Sequence, residues 1–360
     1  MTQRKGKAPS KYAVFGWNAD ESGCGWYRMI EPLSHLNTLP GWEAQSSYKT
    51  TIVGSEIPDY DLIIGQRTST DHAFSVWKYL IHPQAPATIY EVDDNLFAVE
   101  PTNVVAYRQY NDEDTQMLMA TSMWLADAIT VSSQALADEL KHFNPNVYVI
   151  PNYIPATFFK APKRNAKTKS LTIGWAGGSS HINDLLLVQP LLKTLNTIPK
   201  INLKIIGQDF RQFLGIKASH VGWQTVPKYL RSLYLDVGLC PLLEGRFNAC
   251  KTPIKAQEYA ARGIPIVASK VPPYVDYVEH GVTGLLVEPD EWTDAVLELI
   301  GNPSLRYTLA SNAYEKERAN TLEDRIEQRA EIYEHVITVD RFSKEAKWDA
   351  VKDRLTGSLV

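Results

Sequence analysis

The chain of 360 residues carries 37 Lys and Arg against 41 Asp and Glu, and its net charge of −4 by itself neither favours nor excludes a nucleic-acid partner. Its length allows two domains of about 150 residues, each with its own core. Three scattered cysteines, Cys24, Cys240 and Cys250, exclude a disulfide framework and fit a reducing, cytoplasmic setting, and no apolar run reaches the length of a transmembrane helix.

The opening MTQRKGKAPSK is basic and lacks the apolar centre of a signal peptide. Tyr12–Trp17 then reads as an apolar strand, and the loop NADESGCG leads into a helix expected over Trp26–Asn37. A strand, a Gly-rich turn and a helix open a doubly wound α/β domain, although the turn is not GxGxxG and gives no dinucleotide fingerprint. Gly23 and Gly25 either let backbone approach a ligand, with Tyr27 and Arg28 beside them, or simply make a tight turn. Strands follow at Trp42–Tyr48, Asp61–Gln66 and Ala87–Val92, with a helix near Asp71–Ile81. The last of these strands ends in YEVDDNLF, which puts Asp93 and Asp94 at its carboxyl end. Extended neighbours face opposite ways, so one aspartate is expected to face a ligand while the other caps a turn. Their spacing is wrong for a DxD metal motif, and no metal site is read there.

A helix over Asp112–Ala128, the strand AITVSS, a helix over Gln134–Phe143 and VYVIPNYI complete a first domain spanning 1–155. Residues 156–170 are Pro-containing, basic and without period, a linker. The second domain, 171–320, repeats the logic: the strand LTIGWAG, the loop GGSSH and a helix over Asn183–Leu195. Gly177, Gly178 and Ser179 would bring backbone N–H groups to a diphosphate, and His181 and Asp184 stand at the helix start. INLKIIG and HVGWQ are further strands, and Val226–Leu235 is a helix.

The most informative stretch is Leu239–Ser269, LCPLLEGRFNACKTPIKAQEYAARGIPIVAS. It reads as strand, polar loop, helix and strand, with Thr252 as N-cap, Pro253 at the first helical position and Gly263 at C′. Asn248 and Lys251 precede the helix, while Lys255 and Glu258 lie in its first two turns. Cations at a helix N-terminus attract phosphate, and a carboxylate one turn deeper can accept both hydrogen bonds of a ribose diol. The bland alternative is a surface helix with a Lys255–Glu258 pair. Beyond Pro289 the chain is helical, with a stripe of Ile326, Ala330, Ile332, Tyr333 and Val336 in a helix expected over Leu322–Val339 and a last helix to Leu355.

FNACKTPIKAQEYAARGIPIVAS, followed by GVTGLLVEP, resembles the nucleotide-sugar signature of the group 1 glycosyltransferases of the GT-B fold. SGCGWYRMIEPLSHL and IGWAGGSSHINDL resemble the first loops of that family's two domains, and YEVDDNLF resembles a segment of a phage-encoded subset. The resemblance implies an α/β fold of two Rossmann-like domains facing across a cleft, with acceptor in the first, donor in the second and helices 321–360 crossing back to the first. It also implies base contacts near Val221–Gln224. Many members carry a glutamate eight residues before the second one, where this chain has Cys250 before Glu258. The histidine common near Asp93 is likewise missing.

The implied reaction moves a sugar from a nucleoside-diphosphate sugar to a hydroxyl, without metal or cofactor and with retention of configuration. Lys251, the 177–180 loop and the helix N-terminus would stabilise the leaving diphosphate, and Asp93 or Asp94 would orient or deprotonate the acceptor. That acceptor is left open among glycan, small molecule, protein and DNA, in the cytoplasm or, for a phage-encoded chain, the host cytoplasm. A same-fold epimerase or phosphorylase, and a binding protein without catalysis, are the competing readings.

Overall fold

The computed structural model describes residues 12–48, 60–80, 85–162, 170–338, 345–347 and 349–350. The basic amino-terminal tail, residues 163–169 of the expected linker and the end of the last expected helix lie outside the described residues. Two units follow from the packing: Met1–Phe97 with Arg108–Asn152 and Arg325–Val360, and Ala98–Tyr107 with Tyr153–Asp324.

The first unit holds six strands: β1 (Tyr12–Trp17), β2 (Trp42–Ser47), β3 (Leu62–Gln66), β4 (Ala87–Val92), β5 (Ala128–Val131) and β6 (Val147–Val149). They form one sheet in the order β2-β1-β3-β4-β5-β6, every pair parallel. Every residue of β3, β4 and β5 is buried, as central strands covered on both faces must be. The core joins Val14, Leu33, Leu62, Ile64 and Ile89 to Ile326, Ala330, Tyr333 and Val336 of the helix Leu322–Thr338. Each of the Val, Leu and Ile side chains among them contributes about 1.5–3 kcal/mol on full burial. Of the expected apolar stripe, Ile332 lies at the margin of this core.

The helix expected over Trp26–Asn37 is not uniform. A turn at Gly23–Gly25 widens into a π-helical stretch, Trp26–Ile30, before α-helix resumes at Glu31–Leu36. Glu31 N–H donates to the Trp26 carbonyl, one residue further back than in an α-helix. Pro32, which has no N–H to donate, follows directly, so the register slips where one α-helical bond could not be made anyway.

The second unit repeats the design with β7 (Leu171–Gly177), β8 (Ile201–Gly207), β9 (Ser219–Val221), β10 (Val237–Cys240), β11 (Ile266–Ser269) and β12 (Leu285–Val287). Its order is β12-β11-β10-β7-β8-β9, again parallel throughout. Trp175, fully buried, sits in a core with Ile173, Leu185, Val188, Leu192 and Leu239. The helix Ile254–Ala261 ends as its sequence requires. Gly263 takes φ +63°, its N–H donates to the Ala260 carbonyl, and Ile264 N–H donates to the Tyr259 carbonyl. That is a Schellman closure, which a side chain at C′ would strain. The helix start differs from expectation. Pro253, at ψ 26°, is the flanking residue, the helix begins at Ile254, and no side chain caps it.

Candidate active site

In each sheet the strand order reverses at one point, and in open parallel sheets ligands bind beyond the carboxyl ends of the strands there. In the second unit the reversal lies between β7 and β10, whose following loops are 178–183 and 241–251. Asp184, at the start of the helix Asp184–Leu195 and 3% exposed, ties the two loops together. One of its oxygens accepts from Leu243 N–H at 2.8 Å and from the Asn248 amide at 3.3 Å, and the other meets His181 Nδ1 at 2.7 Å. Asn248 also donates to the Leu243 carbonyl at 3.0 Å. Burial, reinforced by Lys255, pulls the His181 pKa down to about 4, which the hydrogen bond to Asp184 only partly opposes. The ring is therefore neutral at pH 7, with its Nδ1 proton directed at Asp184.

The helix Ile254–Ala261 is locked to β7 at one peptide. Ala176 N–H donates to the Tyr259 hydroxyl at 3.0 Å, and the Ala176 carbonyl accepts from Lys255 Nζ. Lys255 is buried, 5.0 Å from the Trp175 ring, and burial lowers its pKa while Glu258 nearby opposes the shift. Gly177 makes this possible. A Cβ there would lie 2.5 Å from the Trp175 ring and 2.7 Å from Lys255 Nζ. Its glycine thus makes room for a lysine, which the expected approach to a ligand did not include. Gly178 instead faces the ring of Trp223, and Ser179 and His181 form the short turn after it. Trp223 is 54% exposed at the rim of these loops.

Glu258, 5% exposed, accepts from the Tyr229 hydroxyl at 2.6 Å. Lys251 Nζ lies 4.2 Å from the Phe247 ring centre. Cys250, eight residues before Glu258, is 2% exposed. From behind, Glu317 of the helix Pro303–Arg318 accepts from Tyr277 at 2.7 Å and from Gln257 at 3.3 Å. Its burial raises the carboxyl pKa to about 7.

In the first unit the reversal lies between β1 and β3, and residues from both loops meet there. Asp20 organises the first loop, accepting from Ser22 N–H, the Ser22 hydroxyl and Gly25 N–H at 2.7, 2.8 and 3.2 Å. A Cβ on Gly25 would lie 1.7 Å from the Asp20 carbonyl oxygen, whereas Gly23 faces open space. Gly25 is thus required by the loop's own path.

Arg67, just beyond β3, takes a left-handed φ of +51° that few non-glycine residues adopt. Its guanidinium bonds Asp93 twice, Asp94 at 3.1 Å and Cys24 Sγ at 3.1 Å. Both aspartates therefore converge on one cation, against the expectation that one would turn away. The strand ends at Val92, so Asp93 and Asp94 lie in a bend rather than in extended chain. Cys24, Asp93 and Asp94 place ligand atoms within 4.8 Å of one another, a spacing a metal ion could use. Arg67 already supplies a cation to all three. Burial raises the Cys24 pKa, so this thiol stays protonated at neutral pH and is a weak metal ligand.

Tyr27 and Arg28, expected beside a ligand, are buried instead. Arg28 is 0% exposed and forms a two-pronged pair with Glu91 at 2.7 and 3.2 Å. It also donates to Asn152 and the Ile150 carbonyl, while Thr130 donates its hydroxyl to Glu91. This network underlies the loop and does not present Arg28 to solvent. The Tyr27 ring stands edge-on to Trp26 at 4.7 Å.

Two doubly wound units of this kind define the GT-B class of α/β fold. Sucrose-phosphate synthase from Thermosynechococcus elongatus is similar at a TM-score of 0.66 and 17% identity, over 91% of this chain and 99% of that one. Anabaena Alr3699/HepE, solved in complex with UDP-glucose, is similar at 0.63 and 15%, over 91% and 100%. Residues 172–302 match the family model described as glycosyl transferases group 1. Within sequence alone, a D-inositol 3-phosphate glycosyltransferase from Nocardioides sp. is 35% identical over 81 residues, 22% of this chain and 18% of that protein.

Asp184 and Arg67 are the site residues whose importance the sequence conceals. For Asp184 the only local signal is an acid at a helix start, and for Arg67 an arginine just past a buried strand.

Proposed function

We propose that this chain is a glycosyltransferase that moves a sugar from a nucleoside-diphosphate sugar to a hydroxyl. The observation that carries this reading is the β7–β10 reversal: two loops pinned by Asp184, two lysines and a buried glutamate, all inside the segment that matches the group 1 family model. The Anabaena neighbour with UDP-glucose supports a uridine donor.

In this reading Lys251 and the N–H groups of the 178–181 loop stabilise the charge that develops on the diphosphate. Lys255 adds buried positive charge behind them, with no metal required. Glu258, fixed by Tyr229, holds the ribose, and the exposed Trp223 indole stacks on the base. As the bond from the anomeric carbon to the diphosphate breaks, the acceptor oxygen bonds to that carbon. The hydroxyl proton passes to Asp94, the more exposed of the two aspartates, while Asp93 holds Arg67. Retention is the stereochemical outcome taken from the family resemblance, and the anomeric signals of the product by NMR decide it.

The test is a thermal-shift screen of UDP, GDP, ADP and CMP sugars, followed by radiolabel transfer to glycan, small-molecule, protein and DNA acceptors. One donor should stabilise the protein, and Lys251→Ala and Glu258→Ala should abolish the shift. Stabilisation by none of the nucleotide sugars would sink the reading.

A further inference from the structure

A cavity lies at the amino ends of the second unit's central strands. It encloses about 340 Å³, and its lining includes Lys160, Tyr234, Asp236, Arg262, Arg306 and Tyr307. Its backbone floor is the amino ends of three strands: Thr172 in β7, Asp236 just before β10 and Pro265 just before β11. Since β7 is seven residues long, this cavity is roughly 20 Å from the loops that follow Gly177. It is not an extension of them.

Its chemistry is cationic around one aromatic ring. Lys160 Nζ lies 4.1 Å, the Arg262 guanidinium 5.7 Å and Lys204 Nζ 6.0 Å from the centre of the Tyr234 ring. The carboxylate in the lining, Asp236, is partly engaged, accepting from Thr172 N–H at 2.7 Å. Arg262 Nη1 donates to the Phe158 carbonyl at 2.9 Å, but its Nε–H is buried with no hydrogen-bond partner among the described residues. Burial lowers the pKa of Arg262, Arg306 and Lys204, while Tyr234 opposes the shift at Arg262 and Lys204 and Asp236 opposes it at Arg306. Arg306 Nη1 donates to the Leu299 carbonyl and, at 3.0 Å, to the Ile300 carbonyl, and Lys204 Nζ donates to the Ser232 carbonyl at 3.2 Å. The wall is also built rather than loose. Lys160 N–H donates to the Ala261 carbonyl, and the chain at Pro162 packs so closely on Gly263 that an added Cβ would lie 2.5 Å from Pro162 N.

We infer that this cavity is a binding site for a small phosphate ester with a flat or cyclic group. The phosphate would sit between Lys160 Nζ and the guanidinium groups of Arg262 and Arg306, whose Nη1 atoms are held by backbone carbonyls. The ring would lie against Tyr234 and Tyr307. The volume suits a ligand at the small end of the usual range. Nothing in this proposal depends on the transferase reading.

The experiment is calorimetric titration of the full chain with phenyl phosphate, inorganic phosphate and phenol. A Lys251→Ala chain serves as the reference, so that phosphate held by the loops around Lys251 is not counted. Phenyl phosphate should bind saturably, more tightly than inorganic phosphate, and phenol should give no heat. Lys160→Gln and Arg262→Gln should each weaken phenyl phosphate at least about tenfold, and Tyr234→Ala should remove its advantage over inorganic phosphate. Arg262 also bonds to backbone, so circular dichroism and the melting temperature check its fold. If that variant is unfolded, Lys160→Gln decides. The proposal is overturned if phenyl phosphate gives no saturable heat up to about 10 mM, if Lys160→Gln leaves its affinity unchanged, or if phenol binds as well as phenyl phosphate.

Discussion

The two units are both doubly wound, with strand orders β2-β1-β3-β4-β5-β6 and β12-β11-β10-β7-β8-β9, and each fills the reversal beside its first strand with different chemistry. In the first, Asp93 and Asp94 converge on the Arg67 guanidinium, and Asp20 ties the neighbouring loop through Ser22 and Gly25. In the second, the acids are Asp184, an internal tie, and Glu258, held by the Tyr229 hydroxyl, and the cations Lys251 and Lys255 accompany them. A carboxylate-rich end suits taking a proton from a hydroxyl, and a cation-rich end suits an anionic leaving group. The fold supplies the same place twice, and a handful of side chains makes each copy different.

The largest expected effect tests the acidic end. Asp94→Asn should lower kcat by about a hundred- to ten-thousandfold with little change in donor KM. Asp93→Asn should act less on kcat, because in the proposed mechanism it loosens Arg67 while Asp94 keeps the role of base. Equal losses in steady-state kinetics would show that the pair cannot be divided in this way. Next comes the buried pair beneath that loop. Arg28→Met leaves Glu91 buried without its counter-ion and should cost about 3–5 kcal/mol in urea denaturation. A loss below 1 kcal/mol would mean water reaches Glu91.

The glycines sharpen the contrast at a smaller scale. Gly177→Ala should cost about 1–3 kcal/mol and weaken donor binding, since the added carbon collides with Trp175 and Lys255. Gly178→Ala, which meets Trp223 at an ordinary 3.4 Å, should cost far less. In the first unit Gly25→Ala and Gly23→Ala should divide the same way. Melting temperatures of the four variants check this, and a harmless Gly177→Ala would show that Lys255 readily shifts.

The smallest effect is in pH dependence. The His181 pKa falls from 6.5 to about 4 on folding, so its neutral-state contribution is complete above pH 6.5 and is lost as pH falls toward 4. The Glu317 pKa rises from 4.5 to about 7, so its contribution is complete below pH 4.5 and is lost as pH rises toward 7. The two slopes oppose each other between pH 4.5 and 6.5. Removing one should expose the other: His181→Gln should leave stability that falls with pH, and Glu317→Gln stability that rises. Urea midpoints at intervals of half a pH unit measure both.

Much of the scaffold was legible because its signals are local. The apolar run at Ala87–Val92 gives a buried strand, and Gly263 marks a helix end whose geometry needs a positive φ. The helix of Lys255 and Glu258 was legible for the same reason. What stayed hidden depends on residues far apart in sequence. Arg28 sits next to glycines and reads as a loop cation, yet Glu91, 63 positions away, draws it into the core. Asp184 meets Leu243 across 59 positions, with nothing nearby to announce the bond. Arg67 bends the backbone into a conformation that only the surrounding carboxylates repay.

The strand order of the second unit has a consequence for how the chain is made. β7 lies in the middle of its sheet, but only β8 follows it promptly; its other neighbour, β10, begins at Val237. Until β10 is synthesised, LTIGWAG has one open edge and an apolar face, the kind of surface on which growing chains stick to one another. The long-range pairing is also the slow one to form. Ribosome-bound chains halted before Asp236 should therefore be cut by protease within β7, and those halted beyond Ser269 should resist. Equal resistance would mean that something other than β10 shields that edge during synthesis.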